Sequence, residues 1–220
     1  TDGDAPKFTG GEQTVLRRKG NVIRSRIVGP DNSMVKGGLR MTLPFTLTVA
    51  EDKQSVTLEI EGCDPLTLEA ETYSPWIQLS FKPGLGITVA GIARFYLMGI
   101  DPHVNLYMTP IHIDPENPAM PISHPQVYSI YLAKKLGPFA TLGLAEDTWA
   151  LNERVIDEKA FLQAAYDISE EREKMFFDAL SRTQKGFLTT VFDTTDRIQH
   201  MFTYFQNWKI LRLQDDALPP

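Results

Sequence analysis

An aspartate and a histidine four residues apart are the side chains best suited to chemistry in this chain. They are Asp196 and His200, in the stretch "VFDTTDRIQHMF" that runs from Val191 to Phe202. Helical residues four apart are neighbours on one face. A helix capped by Thr194 or Thr195 therefore sets a carboxylate beside an imidazole. Asp oxygen and His nitrogen both bind zinc at about 2.0–2.2 Å. The same spacing also has an ordinary meaning. An aspartate in the first turn suits the helix dipole by itself, and the histidine can simply pack or bond a carbonyl. Two ligands also fall short of the roughly three or four that a protein supplies to zinc.

Other residues carry weaker signals. His112 and Asp114, in "HIDPENP", have a spacing found in some metal sites, and strand geometry would put both on one face. Their proline-rich context reads instead as a structural turn. In "AEDTWALNE", the residues Glu146, Asp147, Trp149, Asn152 and Glu153 either line a pocket or make a short capped helix with Trp149 in the core. His103 and His124 read as loop and helix-start residues. The single cysteine, Cys63, sits in a turn-like "EGCDP" without a nearby histidine and reads as a structural thiol. No glycine-rich phosphate loop appears, because "GPDNSMVKGG" lacks the Gly-Lys-Ser/Thr ending.

The elements that must position these residues follow from periodicity. In "RMTLPFTLTV", Leu43, Phe45, Leu47 and Val49 alternate with polar residues, and Pro44 argues for an edge strand or a bulge. "SVTLEI", "LTLEA" and "WIQLSF" continue the period of two, and two more strand-like runs follow, on either side of Asp101-Pro102. The prolines of "DPENPAMPISHP" (Asp114 to Pro125) exclude regular structure. Beyond them the period is helical. One helix is expected after an N-cap at Ser123, closed by Gly137-Pro138. A longer one is expected from about Asp157 to Gln184. Its apolar face runs from Phe161 to Leu180, and Glu170, Glu171, Glu173 and Asp178 lie on a solvated face. "FLTTVF" (Phe187 to Phe192) reads as a strand, and a helix begins near Thr195.

Composition narrows the function classes. Net charge is −6, from 28 acidic against 22 basic residues, so a broad nucleic-acid surface is not expected. The short basic run Arg17 to Arg26 reads as a solvated edge strand. No apolar run approaches the roughly 18 residues of a membrane span. One cysteine fits the cytoplasm and leaves the periplasm or secretion open.

"VFDTTDRIQHMF" resembles the D-x-x-x-H metal motif of the alkaline phosphatase superfamily, in its type I phosphodiesterase and nucleotide pyrophosphatase branch. The likeness extends through "YMTPIHIDPENPAMPIS", "TLGLAEDTWALNE" and "YDISEEREKMFFDALSRTQKGF", covering Tyr73 to Phe205. It implies an α/β core with two metal ions, usually zinc, flanking a Thr or Ser nucleophile. It implies a phosphate ester or nucleotide as substrate. Asp196 and His200 are the metal ligands that carry over. The nucleophile and the remaining ligands have no counterpart here, so no catalytic residue is assigned. "QNWKILRLQDDALPP", at the end, departs from the pattern.

The expectation is therefore an α+β chain that is an internal piece of a larger bacterial phosphodiesterase, inactive alone. It comprises a flexible segment (1–20), a β-rich antiparallel module that caps the active site as an insertion (21–113), and a proline-rich linker with helices (114–185). A strand–helix unit of an incomplete α/β core (186–206) and a tail (207–220) follow. The alternative is a non-catalytic binding or assembly module that keeps a relic motif. A further possibility is a homo-oligomer in which two copies complete the metal site.

Overall fold

The computed structural model describes residues 13–32, 34–35 and 38–203. Residues 1–12 of the expected flexible segment, residues 204–206 of the strand–helix unit and the tail 207–220 lie outside the described residues.

The chain is α+β. Its first part supplies ten strands: β1 (Arg18–Lys19), β2 (Val22–Asp31), β3 (Arg40–Val49), β4 (Ser55–Ile60), β5 (Leu66–Glu69), β6 (Ile77–Gly84), β7 (Ile87–Ala93), β8 (Phe95–Gly99), β9 (Asn105–Met108) and β10 (His112–Ile113). They pair antiparallel as a five-stranded sheet in the order β1-β2-β3-β4-β5, a three-stranded sheet β10-β7-β6, and the ribbon β8-β9. Helices follow as α1 (Val127–Leu136), α2 (Thr148–Asn152), α3 (Glu158–Arg182) and α4, described over 194–203.

The period of two builds the first core. Leu47 lies opposite both Ile23 and Leu58, and Phe45 lies opposite Ile60, so one face of the sheet is continuous hydrocarbon. That face packs on Leu79 and Phe81 of β6 and on Phe95 and Leu97 of β8. Gly29 is required here, since a methyl group at that position would overlap the Phe81 ring. The alternate residues of the β8-β9 ribbon face the other way. Tyr96 and Tyr107 join Tyr73, Ile156, Ala160 and Phe161 in a second core under α2 and α3, against which Met201 and Phe202 of α4 also pack. One two-stranded ribbon thus serves as the shared wall of two cores.

Ion pairs fasten the helices to the sheets. Arg94, at the β7–β8 junction, reaches Asp167 of α3 at 2.7 Å and donates its Nε to the Ser74 carbonyl. The Trp76 indole donates to Glu171 Oε1 at 2.7 Å, and Ala140 N–H donates to Oε2 at 2.9 Å. Burial raises the Glu171 carboxyl, and those two bonds oppose the rise.

Several expectations need correction. Pro44 is in the central strand, not an edge. Its carbonyl accepts from Glu61 N–H at 3.3 Å just past the end of β4, so its missing donor falls where the neighbouring strand has stopped. Gln126, not Ser123, occupies the N-cap of α1, while the Ser123 hydroxyl accepts from Ser129 N–H at 3.0 Å. The opening segment is structured from Arg18, which pairs with Ile23 at the sheet edge. Trp149 is 54% exposed, and Ala150 is the buried residue of α2.

On α3 the capping aspartate, Asp157, and the end near Arg182 agree with the periodicity, but two acids assigned to the solvated face do not lie there. Glu171 is tied to Trp76, and Asp178 is buried. Lys135 reaches Asp178 from α1 at 2.5 Å and Arg182 from the next turn at 2.6 Å. These cations hold the Asp178 carboxyl below its ordinary range. Leu180, assigned to the apolar face, is about half exposed.

The largest difference concerns 187–192. "FLTTVF" has strand composition, yet it is irregular. A strand needs a partner for its backbone groups, and none of the described strands runs beside it. Phe187 and Val191 are exposed, and Phe192 leans on Phe176 with ring centroids 5.8 Å apart. The strand of the expected strand–helix unit is therefore not formed.

Candidate metal-ligand pair

The helix carrying the pair begins where periodicity places it, but a different residue caps it. The Asp193 carbonyl accepts from Arg197 N–H at 3.0 Å, which puts Asp193, not a threonine, at the N-cap. Thr194 turns inward instead. It is buried, and its hydroxyl donates to Glu146 Oε1 at 3.2 Å.

Glu146 is the centre of an anchoring cluster that composition does not reveal. Its side chain is fully buried, with Arg172 of α3 at 3.6 Å and Arg197 of α4 at 4.0 Å. Arg172 also pairs closely with Asp193 and donates to the Thr194 hydroxyl at 3.3 Å. The first turn of α4 is thereby clamped to α3 and to the loop before α2. No local signal marks it, because a basic residue inside an acidic run such as "SEEREK" ordinarily pairs on the solvated face, as Lys174 does with Glu170 at 2.8 Å.

With Thr194, Arg197, Ile198, Met201 and Phe202 turned inward, Asp196 and His200 face out. Asp196 Oδ1 and His200 Nε2 are 3.3 Å apart, and their side chains are 64% and 74% exposed. Two ligands held at about 2.0–2.1 Å on a tetrahedral ion are also about 3.3 Å apart. The same separation is that of an ordinary side-chain pair four residues apart on an exposed helical face. Among the described residues, no group of three or more His, Cys, Asp or Glu is placed to hold a metal ion.

The other candidates are used elsewhere. Asp114 accepts from Glu116 N–H at 2.9 Å and from the Gln78 and Asn117 amides, which makes it the organiser of the proline-rich turn. Asp147 caps α2 by accepting from Ala150 N–H at 2.9 Å, and it takes the Tyr107 hydroxyl at 2.7 Å. Asn152 and Glu153 are exposed, as are His103 and His124. The Cys63 thiol is pushed up by burial and by Asp64.

His112 is 1% exposed. Its Nδ1 accepts from Thr141 N–H at 3.0 Å and from Leu142 N–H at 3.4 Å. Nδ1 is thus unprotonated and the ring neutral, and burial lowers its pKa to about 4. The unfolded histidine titrates near 6.5, so between those values the unfolded chain binds the extra proton. Stability from this group is complete above pH 6.5 and is lost as pH falls towards 4. The expected loss is on the order of 3 kcal/mol, from about 1.36 kcal/mol per pH unit. Urea midpoints measured from pH 7 to pH 4 should show this slope in the wild type. It should be flattened in His112→Asn, which keeps an acceptor but cannot charge. An unchanged slope in the variant would reject the assignment.

No protein-family model, no curated protein and no solved structure matches the chain. Among the described residues, no helix is long and apolar enough to cross a membrane.

Proposed function

We propose that this chain is part of a metal-dependent phosphoesterase acting on phosphodiesters or nucleotides. In it, Asp196 and His200 supply two ligands to one of two zinc ions. The observation that carries the reading is the 3.3 Å pair on the outer face of a helix whose inner face is clamped by Glu146 and Arg172. A divalent ion held there would supply Lewis-acid stabilisation of phosphoryl oxygens and activation of a hydroxyl nucleophile. The role of this chain is to present an anionic oxygen and a ring nitrogen at fixed separation. The Glu146 cluster stops α4 from rotating the pair out of register. The remaining ligands and the nucleophile belong to parts of the protein beyond the described residues, and the β-rich module shapes access as a cap.

A non-catalytic assembly module is the second reading. It is favoured by Phe187 and Val191, apolar side chains that stand exposed in the segment after α3, as Phe177 and Leu180 do on α3 itself, because exposed apolar side chains mark contact sites where they gather. Metal content separates the two readings. The full-length protein, purified without chelator, should hold two equivalents of zinc. Asp196→Ala and His200→Ala should each lose about one of them. A metal-free wild type, or variants with undiminished metal, would give the assembly reading the lead.

A further inference from the structure

The segment Phe187 to Phe192, "FLTTVF", makes no backbone hydrogen bond among the described residues. It runs on without a bend, and none of its residues takes a positive φ. Its side chains sort by the strand period of two. Leu188 is half-buried, and Phe192 leans on Phe176, which meets Phe177 with ring centroids 5.4 Å apart. Thr190, between them, is exposed. On the alternate positions Phe187, Thr189 and Val191 are all exposed, Phe187 at 93% and Val191 at 75%. The Phe192 side is therefore tied to α3, while the backbone groups stand open.

An uncharged run of aromatic and β-branched residues, free of Pro and Gly and with its backbone unpaired, is a template for another strand. Its own spacing selects the partner. A closed antiparallel pair of identical strands has a two-fold axis through one residue, which then lies opposite itself. With Thr189 on that axis, Phe187 falls opposite Val191 of the second copy and Thr189 opposite Thr189. Aromatic–β-branched and Thr–Thr pairs are favourable cross-strand pairs. Lys185 falls opposite Asp193, so no like charges meet, although Asp193 already holds Arg172. Other arrangements are poorer. Parallel pairing in register sets Lys185 against Lys185. An axis at Leu188 sets Lys185 opposite Val191, and one at Thr190 sets Phe187 opposite Asp193.

We propose that Phe187 to Val191 pairs antiparallel with the same segment of a second copy, about a two-fold axis at Thr189. The strand that periodicity predicts is then formed between two chains. A ribbon of two short strands is weak alone, and the contact of Phe192 with Phe176 gives it a base on α3 in each copy. The pairing stands apart from the metal reading, since Asp196 and His200 take no part in it.

Sedimentation equilibrium of the 220-residue chain from about 5 to 200 μM should show a monomer–dimer equilibrium in the range of small, transient interfaces, unchanged by EDTA. Thr189 is exposed, so substitution there leaves the packed cores untouched. Thr189→Lys and Thr189→Glu each set like charges opposite one another at the axis. Each should weaken association by about tenfold or more. Mixed in equal amounts, the two variants should associate again as a heterodimer, because residue 189 lies opposite itself. A monomer throughout, association that EDTA abolishes, growth beyond the dimer, undiminished self-association of either variant, or a mixture no tighter than its components would each overturn the proposal.

Discussion

In the full-length protein, Asp196→Ala and His200→Ala are each expected to lower kcat/KM for bis(p-nitrophenyl) phosphate by about a thousandfold or more. An ion that neutralises developing charge on phosphoryl oxygens contributes several kcal/mol to the transition state. About 4 kcal/mol corresponds to a factor of about a thousand. Both side chains are more than 60% exposed and bond mainly to each other. Removing either therefore costs the fold only the few tenths of a kcal/mol of a surface pair four residues apart. The signature is a large loss of turnover with an unchanged denaturation midpoint. Gln199→Ala is the internal control, since Gln199 lies exposed on the same helix between the two residues. Variants that keep turnover within tenfold of wild type would show that the pair holds no catalytic metal.

Glu146→Ala is expected to cost about 3 kcal/mol of stability. The carboxylate is fully buried and lies between two guanidinium groups, at 3.6 Å from Arg172 and 4.0 Å from Arg197. Removing one partner of a buried ion pair leaves charge without compensation, at a cost of roughly 3–5 kcal/mol. The lower end applies because Asp193 still pairs with Arg172. The Thr194 hydroxyl also loses its acceptor, and the inner face of α4 its anchor. Glu146→Gln, which keeps an acceptor for Thr194, should fall between the two. Urea denaturation measures the loss, and hydrogen exchange across 194–203 shows where it arises. A loss below about 0.5 kcal/mol, the range of an ordinary surface change, would mean that the cluster does not hold the helix. In the full-length protein the same substitution should lower metal affinity without touching a ligand.

Much of the architecture was legible because it is local. Strand alternation of Leu43, Phe45, Leu47 and Val49 leaves one face to bury, and all four are buried. The helical apolar stripe bounded α3 closely, from about Asp157, and the structure adds that the Asp157 side chain caps it by accepting from Ala160 N–H at 2.8 Å. Positions whose role depends on what lies across from them were read wrongly. Asp178 has the composition of a solvated acid, yet Lys135, more than forty residues earlier in the chain, meets it. Trp149 has the composition of a core residue, but the short α2 turns Ala150 inward in its place. Pro44 suggested an edge, although what matters is which neighbour its nitrogen faces.

The candidate site divides along the same line. Proximity of Asp196 and His200 needs only one helix, because a spacing of four is set by helix geometry alone. Their distance of 3.3 Å is therefore a consequence of the sequence. The direction in which that helix faces is a different matter. It depends on Glu146 and Arg172, which lie far along the chain and converge only when α3 and the loop before α2 pack together. The fate of "FLTTVF" is equally non-local: β-branched and aromatic residues favour an extended chain, but hydrogen bonds to a neighbouring strand make a sheet. Short-range order follows from the chain's own steric and solvation preferences, whereas burial, pairing and exposure of a site are properties of the surfaces that meet.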